Sequence, residues 1–299
     1  MQHWLFEKKG EFGMKYRTVK RVLDSEKHRI GSLIMYQPLP AGDLEQIDPF
    51  LLLHHHGPNK LGPHNSGLPF APHPHRGFET VTLIFEGNVV HHDSHGFSSR
   101  IQEGGVQWMT AGKGIIHSEN IDARMREQGG TLEIIQLWVN LPARLKMMEA
   151  NYQGFQKEEI PLLSLANGKL AVNLISGIFD GSKGPVNSIT GIDLSTIFMK
   201  AGGIFETEID SARNILLYTL DGEVLITGIK SGGRALAEFD NDGSGLLIEA
   251  ITDSRLILGS GMPYHEPVAA HGPFVMNTST EIREAINDYQ AGKMGILEE

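Results

Sequence analysis

Residues 71–90 read APHPHRGFETVTLIFEGNVV. An apolar run follows His73-Pro74-His75, stops at Glu86-Gly87-Asn88 and then resumes. Strand-forming residues broken by a glycine turn read as two short strands. On an extended segment residues i and i+2 point to the same face, so His73 and His75 share one. The same grammar recurs at 131–140, which ends before Pro142, and at 170–175 and 192–200. It returns at 214–220, before Asp221-Gly222, and at 254–258, before Gly259. Glycine supplies 35 of 299 residues, spread along the chain, against an average usage of about 7%. Many short strands with such turns predict an all-β sandwich or barrel rather than βαβ units.

Helical signals are few. Residues 143–150 suit a short helix after Pro142. Residues 280–290 suit a C-terminal one, with Thr280 as N-cap and Ile282, Ala285, Ile286 and Tyr289 at helical spacing. A weak internal repeat aligns LIFEGNV (83–89) with YTLDGEV (218–224). Likewise, Gly112-Lys113-Gly114 precedes His117 and Gly259-Ser260-Gly261 precedes His265. Their shared order predicts a duplicated antiparallel barrel, with a boundary in 140–170 and domains at 1–150 and 151–299.

Composition narrows the chemistry. The chain has no cysteine, so disulfides, thiol nucleophiles and Cys-ligated zinc are excluded. A net charge of −10 with no basic block argues against a direct nucleic-acid surface. No apolar run approaches the ~18 residues of a membrane span, and residues 1–16 lack a signal peptide's apolar core. A cytoplasmic location is the expectation. Twelve of 14 histidines lie at or before His117, so the first half carries the chemistry.

His117-Ser118-Glu119 repeats the i, i+2 pattern of His73 and His75. Three imidazoles and one carboxylate make a mixed N/O set suited to iron, copper, nickel, manganese or zinc. A single His-x-His is more often solvated than metal-bound; two such pairs, each near a glycine turn, favour a metal site. His54-His55-His56 are consecutive and must alternate faces, which argues against their joint convergence. His91, His92 and His95 read as solvated, with one able to hydrogen-bond a metal ligand from behind. Trp108 and Trp138 read as core or pocket wall.

HPHRGFETV (73–81), VQWMTAGKGIIHSE (106–119), QLWVNLPA (136–143) and GPFVMNT (272–278) resemble the hallmark segments of the pirin family of the cupin superfamily, in family order. The resemblance runs from about Arg17 onward. It implies a bicupin of two antiparallel β-barrels, with metal in the N-terminal barrel only. It also implies that His73, His75, His117 and Glu119 are the metal ligands. Glu79, which ligates in many other cupins, is then expected behind the ligands. The family's acidic and aromatic residues before Gly57-Pro58 are replaced here by histidines. Glu208 and Asp210 occupy the counted positions of His73 and His75 in the second half, so that barrel is expected to lack metal.

The activity implied is that of a metal-dependent dioxygenase of quercetinase type, an oxidoreductase opening the central ring of a flavonol with O2. One divalent ion is expected, Fe(II) by preference, with Zn, Cu, Ni or Mn as alternatives. Glu119 is the expected catalytic base for the flavonol hydroxyl. The liganding histidines must be neutral, so affinity is expected to fall below about pH 6. One rival is a metal-sensing regulatory or binding protein acting through a protein partner. Another is a bicupin enzyme acting on a different small molecule.

Overall fold

The structure, a computed structural model, describes residues 14–297. Residues 1–13, most of the stretch read as lacking a signal peptide, lie outside the described residues. Contacts divide the described chain into two compact units, 26–160 with 264–297 and 14–25 with 161–263.

Each unit pairs a seven-stranded with a four-stranded antiparallel sheet. In the first, the larger sheet runs in the order Asn151–Phe155, Val106–Thr110, Phe78–Glu86, Gly130–Asn140, Phe50–Leu61, Leu33–Leu39, Glu26–Ile30. The smaller runs Phe70–His75, Ile115–Asn120, Asn88–Asp93, Ser98–Gln102. In the second, the larger sheet runs Val19–Asp24, Ala235–Phe239, Asn214–Asp221, Ser254–Gly261, Asp193–Met199, Leu170–Ser176, Leu162–Leu165. The smaller runs Ile204–Glu208, Gly245–Ala250, Glu223–Ile226, Ile229–Gly232.

Position for position, the two orders match. Phe78–Glu86 and Asn214–Asp221 are each third in the larger sheet, and the strands that follow them are each third in the smaller. The sequence match between 83–89 and 218–224 therefore marks equivalent turns. Gly87 and Gly222 make them, with φ of 87° and 80°, a conformation that costs glycine little. A Cβ at Gly87 would also lie 2.9 Å from the Thr131 carbonyl. The second match is not equivalent. Gly112–Gly114 forms a turn, whereas Gly259–Gly261 ends the strand Ser254–Gly261, the counterpart of Gly130–Asn140.

The contacts also divide the chain differently from one cut after residue 150. Val19–Asp24 pairs with Ala235–Phe239. Residues 264–297 pack in the first unit, where Phe274, Met276, Ile282, Ala285 and Met294 bury against Ile116. Apolar partners, not chain order, decide each segment's place.

The C-terminal helix Ser279–Gln290 forms as expected, but its cap is Thr278. Thr278 Oγ1 accepts from the Glu281 amide, and Glu281 Oε2 accepts from the Thr278 amide, a reciprocal box that Thr280 cannot make. A second short helix, Ala123–Gln128, is capped by Asp122, which accepts from the Met125 amide. No helix among the described residues is long and apolar enough to cross a membrane.

The expected helix over 143–150 shrinks to a single 3-10 turn, Ala143–Leu145. The Met148 carbonyl accepts from the Lys113 amide, and Lys146 turns inward to 1% exposure. Its Nζ donates to Gly77 O at 2.7 Å, Asn140 Oδ1 at 2.6 Å and Val275 O at 3.1 Å. Burial pushes its pKa down to about 8, against the opposing pull of Glu266 and Glu281. Three segments distant in sequence thus share one cation. Lys146→Met should lower stability by on the order of 3 kcal/mol, because three buried acceptors lose their donor. Urea unfolding checks this, and a midpoint equal to wild type would dismiss the anchor.

Candidate metal centre

The site is built on two neighbouring strands, Phe70–His75 and Ile115–Asn120. They pair antiparallel with His117 opposite His73 and Ile115 opposite His75. Ring centroids lie 4.4 Å apart for His73 and His117, 4.9 Å for His75 and His117, and 4.7 Å for His73 and His75. One ligand nitrogen from each of the three falls within 4.8 Å of the others. Glu119 is not part of that group. The register shifts between His117 and Glu119, and such an irregularity re-aims the side chains on either side.

Hydrogen bonds behind each ring fix its tautomer. His73 Nδ1 donates to the Ala71 carbonyl at 2.8 Å, and His75 Nδ1 donates to the Pro273 carbonyl at 3.3 Å. A carbonyl only accepts, so the proton sits on Nδ1 and the Nε2 lone pair is left free. His73 Nε2 lies 3.0 Å from His117 Nε2. Burial, reinforced by the neighbouring histidines, pushes His75 down to about 3 and His117 well below its ordinary value. Neutral imidazoles with converging lone pairs are what a divalent ion requires, so the donor set fits a metal.

Behind His117 stands a third i, i+2 pair, His91 and Asp93, on the strand Asn88–Asp93. Asp93 is opposite His117 and His91 opposite Glu119. Their rings and carboxylate therefore meet on one face. His91 is 1% exposed, not solvated. Its Nδ1 lies 3.4 Å from His117 Nδ1, and its Nε2 lies 3.1 Å from Asp93 Oδ2. Burial raises the Asp93 pKa, but donation from His91 and the Phe97 and His95 amides outweighs it and holds the carboxylate below its ordinary value.

Glu119 is buried and held by neutral donors. Its Oε1 accepts from Thr82 Oγ1 at 3.1 Å and Gln107 Nε2 at 3.5 Å, and its Oε2 accepts from Gln136 Nε2 at 3.3 Å. Tyr152 donates in turn to Gln107 Oε1 at 2.8 Å, and burial pushes its phenol up. Glu79 accepts from Thr110 Oγ1 at 2.7 Å. Trp108 is fully buried, as expected of core. Trp138 is half-buried, with its ring 5.5 Å from His75 and 4.3 Å from Phe78. The alternation of His54–His56 holds, yet its first and third members share a face, with rings 6.0 Å apart. His55 faces the other way, onto Glu133 at 2.9 Å.

In the second barrel the strands equivalent to the two ligand-bearing ones carry Phe205, Leu246, Ile248 and Ala250, all within an apolar cluster. Glu208 accepts from Ser244 Oγ there, and Asp210 from the Ala212 amide.

The pirin family model matches residues 32–139, and the model of the pirin C-terminal cupin domain matches 194–295. The chain belongs to the pirin family. Its fold is the all-β bicupin that the sequence implied, with a short C-terminal helix. A pirin-like protein of Caulobacter vibrioides is 36% identical over 285 residues, covering 94% of this chain and all of that protein. The structure of quercetin 2,3-dioxygenase from Acinetobacter baumannii superposes with a TM-score of 0.90 at 32% identity, covering 94% of this chain and 99% of that one. A bacterial pirin from Escherichia coli, solved in complex with nickel(II), shares the fold at a TM-score of 0.63 and 20% identity. That alignment covers 81% of this chain and 99% of the other.

His54 is half-buried and His55 and His56 are buried, and that burial has a pH signature. Burial, aided by charges on neighbouring histidines, lowers His54 to about 4 and His56 to about 3, against an ordinary 6.5. Between those values the unfolded chain binds more protons than the folded one. Stability is therefore full above pH 6.5 and is lost as pH falls toward 4. His56→Phe, which keeps a ring against Phe70, should flatten that loss by up to about 1.4 kcal/mol per pH unit. Urea midpoints between pH 7 and 4 read the slope; an unchanged slope would count against a neutral buried His56.

Proposed function

We propose that this pirin is a metal-dependent dioxygenase of quercetinase type that opens the central ring of a flavonol with O2. The observation that carries the reading is the convergence of three imidazoles, His73, His75 and His117, with the carboxylate of Glu119 buried two residues beyond His117. Likeness to a quercetin 2,3-dioxygenase structure over nearly the whole chain supports the activity. A nickel(II) complex of an Escherichia coli pirin supports a divalent ion.

His73, His75, His117 and Glu119 would hold one such ion, Fe(II) by preference. Bound there, it supplies Lewis acidity that lowers the pKa of a coordinated hydroxyl. The chain's own residues do the rest. Glu119 accepts the proton of the flavonol 3-hydroxyl at a carboxylate oxygen. Thr82, Gln107 and Gln136 keep that carboxylate oriented without bringing a competing cation. Trp138, half-buried and backed by Phe78, offers an aromatic wall beside His75, which suits a flat ring and excludes water. The ring-opened ester and carbon monoxide account for every atom of flavonol plus O2, so no reductant is needed.

Freshly isolated protein loaded with Fe(II) should consume O2 with quercetin and release carbon monoxide, and lose both under chelation. The double variant His73→Ala with His117→Ala should lose the metal by elemental analysis. Glu119→Gln should cut turnover by about 10²–10⁴-fold. Metal-loaded protein that turns over quercetin equally without O2, or not at all, would sink the flavonol reading and point to another small molecule.

A further inference from the structure

His91 and Asp93 are both buried and joined in series to His117. His117 Nδ1, His91 Nδ1, His91 Nε2 and Asp93 Oδ2 form a chain with contacts of 3.4 and 3.1 Å. With every ring neutral, as metal binding requires, one proton arrangement satisfies both. The Asp93 carboxylate accepts and cannot donate, so His91 carries its proton on Nε2. A neutral His91 then presents a lone pair at Nδ1, which must be met by a proton on His117 Nδ1. That leaves His117 Nε2 bare and aimed at His73 Nε2. The reverse arrangement would set a His91 lone pair against the Asp93 carboxylate, an unpaired polar contact in a buried place.

We propose that His91 is a positioning residue for the metal centre, selecting the metal-binding tautomer and ring orientation of His117, with Asp93 selecting that of His91. The inference rests on the metal-centre reading above and adds two residues to it.

The rest of the pocket holds His91 for this task. Its ring packs on Tyr152 with centroids 4.5 Å apart and planes 31° apart, and Phe97 lies 6.5 Å away. Asp93 is pinned from its other oxygen, Oδ1, which accepts from the His95 amide at 2.9 Å and the Phe97 amide at 3.2 Å. His73 and His75 lean on backbone carbonyls, which mutation cannot remove. His117 alone among the three is oriented by a side chain.

The test uses the full chain, stripped of metal and titrated with Co(II), whose visible absorption reports ligand geometry. Affinity is read by competition with a chelator. His91→Phe keeps the ring packing and deletes the acceptor. It should weaken Co(II) binding roughly 10- to 100-fold and alter the absorption bands. His91→Asn places an amide oxygen where Nδ1 stood and should restore affinity to within a few fold of wild type. Asp93→Asn, still an acceptor but uncharged, should give a smaller loss than His91→Phe.

Thermal melts of the metal-free proteins show whether each variant folds. If His91→Phe does not fold, the ordering wild type, His91→Asn, Asp93→Leu carries the test, with Asp93→Leu expected weakest. Wild-type affinity and spectrum in His91→Phe, or equal weakness in folded His91→Asn and His91→Phe, would overturn the assignment. Failure of the wild-type chain to bind Co(II) would instead overturn the metal centre itself.

Discussion

Three imidazoles can offer lone pairs to one point only if each is kept neutral and each has its other nitrogen occupied. Two strands at i, i+2 spacing bring the rings within reach, but reach alone leaves tautomer and rotation open. Here the Ala71 and Pro273 carbonyls close those freedoms for His73 and His75, and His91 stands 3.4 Å behind His117. For His75 and His117 burial closes the last, since a protonated ring would have to shed its water. Much of the first barrel's interior follows from that one demand.

The cost is visible in what fills the two barrels. Where the second places Phe205, Leu246 and Ile248 against Val172 and Leu258, the first places histidines, Glu119, Thr82 and Gln107. Buried polar groups without partners cost 1–3 kcal/mol or so each, and the donors to Glu119 are the remedy. The apolar cluster of Leu33, Ile84, Val89, Ile101, Leu132 and Ile134 keeps the same unit folded around its polar pocket. The two barrels are thus two frames of one topology, the second with an apolar interior and the first with a polar pocket.

The chain's last segment serves the first barrel. Pro273 orients His75, and Asp288 of the C-terminal helix pairs with Arg76 at 3.0 Å, one residue beyond that ligand. Val275 O accepts from Lys146, which also reaches Gly77 and Asn140. Residues that follow the second barrel in sequence therefore belong to the support of the histidine cluster.

The alternation of apolar residues, the glycine turns and the two i, i+2 pairs were readable from local geometry, because strand period and turn conformation depend on near neighbours. That made the barrels, the three histidines and the C-terminal helix legible in the chain itself. His91 and Asp93 carried the same i, i+2 signature, but nothing local distinguishes a strand end facing solvent from one facing a buried ligand. Thr82, Gln107, Gln136 and Pro273 carried no local sign of these roles, which arise from cross-strand register and from a segment nearly 200 residues from His75. Sequence determined which residues could ligate. Tertiary structure decided which nitrogen His75 leaves free and where Glu119 points, because hydrogen-bond partners distant in sequence settle both.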